Sequence, residues 1–421
     1  ILKNIELDGS KVDSYISDGL FKHILPTGSI PPEDFPKEEA ETIFCTHKSA
    51  CPSFANMHTH SEMNLMRGAG EDMALEKWLD AIWLIEESLS SDYIYWSGKL
   101  ACAEMIKTGT TLYNNHYWYV PTAHRSAHEM GVRHAMGYVL LDRMDPELTK
   151  VQKEQFLKTF ERAKPWNREM AQFLVCFHSI YTVSEEMLLW GADFARKNGL
   201  RIHMHLSETE TEVANCIKAH GVTPVKYLSQ LGLLGKDLIA AHALHLTEED
   251  VELLGKNKVT CVHNINSNLK IGSGYKFLYK ELKAAGANIC LGTDGCASSN
   301  NLDMLETMKT SAMLQKAFRG DPTAMPLNEL LDTATINAAE ALGFNTGKIE
   351  EGRSADMLIV DTNSCFFLSN APFIANFVYS AHSDSITDVL CAGRFLMRNK
   401  ELPGEEEILA QSRRVLSSLK L

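Results

Sequence analysis

The sequence predicts an α/β protein: a (β/α)₈ barrel of the TIM type with a small β-sandwich domain built from both chain ends. The middle of the 421-residue chain alternates short apolar, β-branched runs with longer helical stretches, which is the pattern of a parallel sheet wound with helices. Five of those runs close on histidine or aspartate, and barrel folds assemble their chemistry at the carboxyl ends of their strands. The two chain ends hold only short strand-like segments, and none of these buries a core alone.

In chain order, residues 1–7, 10–16 and 20–24 alternate apolar and polar and are broken by Asp8-Gly9 and Asp18-Gly19, which read as hairpin turns. Residues 29–41 are rich in Pro and Glu and read as a surface loop. Barrel strands are expected at 53–57, 110–113, 133–138, 172–177, 201–205, 238–241, 258–262 and 288–291, with helical stretches between them such as 93–107, 150–163, 185–198, 210–220 and 248–254. Gly109, Gly131, Gly199 and Gly286 closely follow four helical stretches as C-terminal stops before a strand. Residues 356–361 read as a strand, and 386–397 as two strands around Ala392-Gly393. The expected division is therefore 52–347 for the barrel, with 1–51 and 348–421 joined in the sandwich. An open doubly wound sheet is the competing fold, but no Gly-x-Gly-x-x-Gly follows any strand.

Composition narrows the function classes. A formal net charge of −13 opposes binding to a phosphate backbone. No apolar run reaches the ~18 residues of a membrane helix, and the first residues show no signal-peptide pattern. The 10 cysteines include no Cys-x-x-Cys pair, which suits small core residues in a reducing compartment. The expectation is a cytoplasmic enzyme, a homo-oligomer whose partner is a small heterocyclic substrate, with no nucleic acid and no membrane.

The chemistry lies in His58-Thr59-His60, His178, His203-Met204-His205 with Glu208, His242, and Asp294. Residues two apart share one side of a strand, so His58 and His60 pair, as do His203 and His205. His205 ends its strand beside the loop bearing Glu208, whereas His203 belongs lower in the barrel. A carboxylate three residues past a histidine ligand can shuttle a proton to a metal-bound substrate. Ser207-Glu208-Thr209-Glu210 also suits the positive end of a following helix. His242 ends its strand, while His245 lies beyond it. Gly292 and Gly295 let the backbone turn sharply around Asp294. Imidazoles and carboxylates with room for a water suit a catalytic metal, which lowers that water's pKa toward ~7. One divalent metal is expected; zinc fits best, and iron or manganese accepts similar ligands.

At these residues the chain resembles the amidohydrolase superfamily, in its cytosine-deaminase-like branch. It is most similar to the 5′-methylthioadenosine/S-adenosylhomocysteine deaminases and chlorohydrolase-type proteins. The likeness runs nearly end to end. It is carried by residues 52–60, Leu65-Met66-Arg67-Gly68, Glu71-Asp72, Trp78-Leu79, Ile82-Trp83 with Glu86, and His178-Ser179. It continues through residues 203–209, Ala241-His242, His263-Asn264, residues 267–270, residues 291–295 and Gly352 to Asp356.

The resemblance implies that His58, His60, His205 and Asp294 hold the metal. It makes Glu208 the general acid/base and a substrate contact, with His242 and Asp294 assisting catalysis. Glu86 and His178 become further substrate contacts. The implied reaction is hydrolytic deamination of an aminated purine nucleoside, such as 5′-methylthioadenosine or S-adenosylhomocysteine, by a metal-activated water. Alternatives on the same fold are a triazine chlorohydrolase or aminohydrolase and a pterin or free-base purine deaminase. A non-catalytic metal-binding barrel is disfavoured by the full ligand set with Glu208.

Two departures bear on the substrate. Tyr138 stands in one place where the related deaminases carry an arginine, with Arg143 further along the same loop. This leads to the expectation that nucleosides without a charged 5′ tail are preferred. Asn264-Ile265-Asn266-Ser267-Asn268 replaces the usual Asn-Pro-Ala-Ser-Asn. The stretch 114–119 reads as a polar, aromatic loop in which His116 and Trp118 either line a heterocycle pocket or pack beneath it.

Overall fold

In the computed structural model, eight parallel strands form one sheet: Phe54–Thr59, Thr110–Tyr117, Arg133–Leu140, Val175–Phe177, Ile202–Leu206, Leu238–His242, Thr260–His263 and Asn288–Leu291. Their order in the sheet is their order in the chain, and Ala171–Phe173 adds a short extra pairing to the third. The structure describes every residue except 31, 34, 36–39, 74 and 418–421, and the side chains of 75 and 76 are likewise left out. The expected 29–41 loop thus lies partly outside the described residues.

Side chains join the last strand to the first. Asn56 donates through Nδ2 to the Thr293 hydroxyl at 2.6 Å and accepts the Thr293 N–H at 3.0 Å, while the Asp294 N–H reaches the His58 carbonyl at 2.9 Å. Gly292 is required at this seam, because a Cβ there would stand 2.5 Å from the Asn264 Oδ1 and 2.8 Å from the His58 nitrogen.

Strand periodicity sorts the side chains. Ala55, Met57, Leu112, Ala135, Val139, Cys176, Ile239, Val262 and Cys290 fill the barrel interior, with Leu342 and Phe344 packed among them. Tyr113, Met136, Leu140, Phe177 and Met204 point outward into the layer shared with the helices. The helices Glu185–Asn198 and Glu210–His220 match their expected bounds. Both end on a glycine in the left-handed region, Gly199 and Gly221.

One expectation is corrected. Residues 114–117 are not loop; they continue the second strand, and only Trp118 and Tyr119 lie beyond it. The polar side chains survive inside because each finds a partner. Asn114 donates to the Met57 carbonyl, Asn115 donates to Glu62, and the His116 Nε2 bonds the Phe177 carbonyl.

Both chain ends meet in a second sheet, as expected. It runs from Arg394–Met397 through Ile386–Cys391, Met357–Asp361, Lys48–Pro52, Leu2–Leu7 and Ser10–Ser17 to Leu20–Pro26, with Ile43–Phe44 beside Leu2–Leu7. Hydrogen bonds make it one continuous mixed sheet around a core of its own, which includes Leu2, Ile5, Phe21, Met357, Ile359 and Leu390. The alternate residues Leu358 and Val360 join the main core.

A buried ion pair ties this sheet to the floor of the barrel. Arg133, opening the third strand, donates through Nε to Asp356 at 2.6 Å. The same carboxylate accepts from the Thr346 hydroxyl at 2.8 Å and the Ala392 N–H at 2.6 Å. Burial alone would raise the Asp356 pKa, but the Arg133 charge and these hydrogen bonds hold it below the usual carboxylate range. Its contribution to stability is therefore present above the unfolded-state pKa of ~3.9 and is lost as pH falls through the lower folded value. Asp356→Asn leaves Arg133 buried without its countercharge, and a loss of about 3–5 kcal/mol is expected. Urea denaturation at pH 7 measures it; a midpoint equal to that of the unmodified protein would show that the pair contributes nothing net.

Candidate active site

The carboxyl ends of the strands deliver their polar side chains into one cavity. Its lining includes His60, Glu86, His116, His178, His205, Glu208, His242 and Asp294. The apolar wall comes from Trp78, Leu79, Ile82, Trp83, Tyr117, Trp118, Val139, Tyr181 and Ile271. Much of that wall, with Glu86, belongs to a helix, Leu75–Glu86.

Four residues from three strand ends converge. The Asp294 Oδ1 lies 3.4 Å from the His58 Nε2 and 3.2 Å from the His60 Nε2. His58 and His205, with His242, also bring ring nitrogens within 4.8 Å of one another. The surroundings fix the tautomers. His60 donates through Nδ1 to the His116 carbonyl at 2.6 Å, and His205 through Nδ1 to the His178 carbonyl at 2.7 Å. A carbonyl only accepts, so each Nδ1 carries the hydrogen and, in the neutral ring, each Nε2 is left with a lone pair. The His58 Nδ1 bonds the His203 Nε2 at 3.0 Å, and its own Nε2 is buried with no hydrogen-bond partner. Three bare imidazole nitrogens beside one carboxylate, each ring oriented from behind, form a donor set for a divalent cation.

The electrostatics divide the cluster: burial lowers His60, but its hydrogen bond to Asp294 raises it overall. Burial, then the neighbouring imidazoles, push His205 well below the ordinary histidine value, so its lone pair is free at neutral pH. Asp294 is buried, which opposes its charge, yet His58 and His60 hold it well below the carboxylate range. Its Oδ2 accepts from the Ser267 hydroxyl at 2.6 Å.

Glu208 stands next to this cluster, with its Oε2 3.7 Å from the His242 Nε2. Burial, then the charges of Asp294 and Glu212, raise its pKa well above that of a free glutamate, which suits a group that must hold a proton and release it. The His242 Nδ1 accepts from the Asn268 amide at 2.9 Å, so its Nε2–H faces Glu208. Burial pushes His242 down to about 3. Backbone strain is concentrated at these strand ends: Ser207, His242 and Asp294 all have positive φ, at 51°, 74° and 64°.

The other expected residues fall into place around the cavity. The Glu86 Oε1 accepts from the Tyr117 hydroxyl at 2.6 Å, and burial raises its pKa to about 7. The His178 Nδ1 bonds the Thr182 hydroxyl at 2.8 Å, and its ring centroid lies 6.3 Å from that of Trp83. His203 sits beneath His58, as its place in the strand implied. His245 is turned away, with its Nε2 on the Ser273 carbonyl at 2.6 Å. His116 and Trp118 do line the cavity.

The reading of Tyr138 is overturned. Val139 faces the cavity, so by the two-residue period Tyr138 faces outward, and it packs into the helix layer. It cannot stand where a substrate-reading arginine would. Arg143 instead reaches the cavity edge, with its guanidinium carbon 5.1 Å from the Trp83 ring centre.

The roles of Asn268, Ser267 and Glu212 were not anticipated. Asn268 and Ser267 lie in the motif 264–268, but their contacts with His242 and Asp294 are long-range and leave no local signal.

The sequence pattern of the amidohydrolase family matches residues 49–396. A protein of Methanoregula boonei named 5′-deoxyadenosine deaminase is 40% identical over 367 residues, which is 86% of this chain and 82% of that protein. A Thermococcus sibiricus protein named 5-methylthioadenosine/S-adenosylhomocysteine deaminase is 37% identical, covering 92% of this chain and 90% of that one. A solved adenosine deaminase from Xanthomonas campestris with bound zinc superposes with a TM-score of 0.88 at 30% identity, covering 96% of this chain and 92% of that one.

Proposed function

Because the chain belongs to the amidohydrolase family, we propose that it is a hydrolytic deaminase of adenosine-type nucleosides. In this reading it works with one zinc ion on His58, His60, His205 and Asp294. The observation that carries this reading is the set of three bare imidazole nitrogens around the Asp294 carboxylate, with Glu208 beside them and an aromatic cavity in front. The relatives named as deaminases support it, and the zinc-bound neighbour supports the metal.

A bound divalent ion supplies Lewis acidity and brings a water's pKa toward ~7. Glu208 takes a proton from the attacking water and delivers it to the ring nitrogen beside the amino-bearing carbon, which makes that carbon electrophilic. His242, held by Asn268 with its Nε2–H inward, orients the water. Asp294 takes the second proton and passes it toward the departing ammonia. Glu86 and His178 bind the 6-aminopurine ring between the indoles of the wall. The helix Leu75–Glu86 keeps bulk water from the proton path.

The preference for an uncharged 5′ group stands on a new basis. The cavity wall is apolar, and Arg143 is already engaged over Trp83. Burying a zwitterionic homocysteine tail there leaves its charges poorly paired. The expected kcat/KM is higher for 5′-deoxyadenosine and 5′-methylthioadenosine than for S-adenosylhomocysteine, by at least about tenfold. Steady-state ammonia release measures all three. Faster turnover of the homocysteine compound would reverse the assignment of the tail, and no release from any adenosine derivative would remove the substrate class. A cytoplasmic setting is part of the same proposal, supported by ten free thiols of which only Cys365 is exposed.

A further inference from the structure

Glu212 is a buried carboxyl group beside the site with no part in the reaction as described. It lies in the first turn of the helix Glu210–His220 and is 5% exposed. Its Oε1 accepts the N–H of Ser207 at 2.9 Å, and its Oε2 accepts the N–H of Glu208 at 2.8 Å. In an ordinary capping box the carboxylate at this position takes the N–H of the capping residue. The cap here is Thr209, whose hydroxyl accepts the Glu212 N–H at 3.1 Å; the carboxylate interacts with the Thr209 backbone too, and reaches on to the two residues before.

Those two residues carry Glu208 from the end of the fifth strand into the cavity. Ser207 holds a φ of 51°, which a non-glycine residue keeps only when its surroundings impose it. On the other side, the Ser207 carbonyl accepts the N–H groups of Leu244 and His245 at 3.1 and 3.0 Å. The turn is thus gripped from both sides, and each carboxylate oxygen takes one of its two N–H donors.

We propose that Glu212 is a positioning residue for the deamination. It fixes the Ser207–Glu208 backbone so that the Glu208 carboxyl stays beside His242 and the reacting atoms. The inference rests on the reading of Glu208 as the proton carrier. A glutamine at this position would turn an N–H₂ toward one of the two backbone donors and release it.

The test compares Glu212→Gln, Glu208→Gln and the double variant, with 5′-methylthioadenosine as substrate and metal content measured on each. The expected kcat of Glu212→Gln is lower by about 10²-fold, the scale of a misplacement near 1 Å, with KM little changed and metal retained. Because Glu212 acts through Glu208, the double variant is expected to be no slower than Glu208→Gln alone. Glu212→Asp keeps an acceptor-only carboxylate on a shorter arm; if Glu212→Gln is insoluble, it carries the same comparison, slower alone and silent in the Glu208→Gln background. Full kcat in Glu212→Gln, losses that multiply in the double variant, or loss of metal would each overturn the inference. Near-normal turnover of Glu208→Gln would bring down the reading of Glu208 itself, whereas a collapsed Glu208→Gln beside a normal Glu212→Gln removes the positioning role alone.

Discussion

Glu208→Gln is expected to keep its metal and to deaminate at least ~10²-fold more slowly than the unmodified enzyme, the usual scale for a general acid/base group. The amide preserves size and hydrogen bonding but carries no transferable proton. The loss should fall on kcat, because the carboxyl group's task arises after the substrate is bound. The raised proton affinity of Glu208, from burial and from Asp294 and Glu212, makes this carboxyl group better suited to the task than an exposed one. Metal content and turnover measured on one preparation separate the alternatives. A variant that loses its metal would make Glu208 a ligand, and a variant with near-normal turnover would take it out of the chemistry.

Asp294→Ala is expected to fail differently. It removes the carboxylate that lies within 3.4 Å of both His58 and His60 and leaves neutral imidazoles with no anionic group to offset the charge of an ion. Elemental analysis should find about one divalent equivalent in the unmodified chain and much less in this variant, with turnover lower by on the order of 10³-fold or more. Prolonged chelation of the unmodified enzyme should reproduce that loss, and added zinc should reverse it. Two equivalents per chain, or full activity in a metal-free preparation, would contradict the single-metal reading.

The barrel and the core of its site are legible in the sequence for a physical reason. Parallel strands buried on both faces must be apolar, so a histidine or aspartate that ends such a run stands out. His58, His60, His205, His242 and Asp294 are visible in this way. The helix Leu75–Glu86 was not anticipated, although Trp78, Leu79, Ile82 and Trp83 recur at helical spacing. The polarity of residues 114–117 suggested a loop, because their partners, Met57, Glu62 and Phe177, come from other segments. Tyr138 was misplaced although strand parity alone puts Val139 inside and Tyr138 outside. The grip of Glu212 on Ser207 and Glu208 was hidden for the opposite reason: it occupies the position of an ordinary helix cap.

The seam between the first and last strands has a consequence for what a metal bound at the proposed centre would do to the fold. Asn56 and Thr293, which stitch it, lie 237 residues apart in the chain. His58 and His60 sit on one lip and Asp294 on the other. An ion held there acts as a clasp on a ring, joining the two margins of the barrel by more than their few hydrogen bonds. Loading would then brace the closed barrel, because an ion that binds the folded chain in preference to the unfolded one stabilises it. The urea midpoint of the zinc-loaded enzyme would accordingly lie above that of the same preparation after chelation.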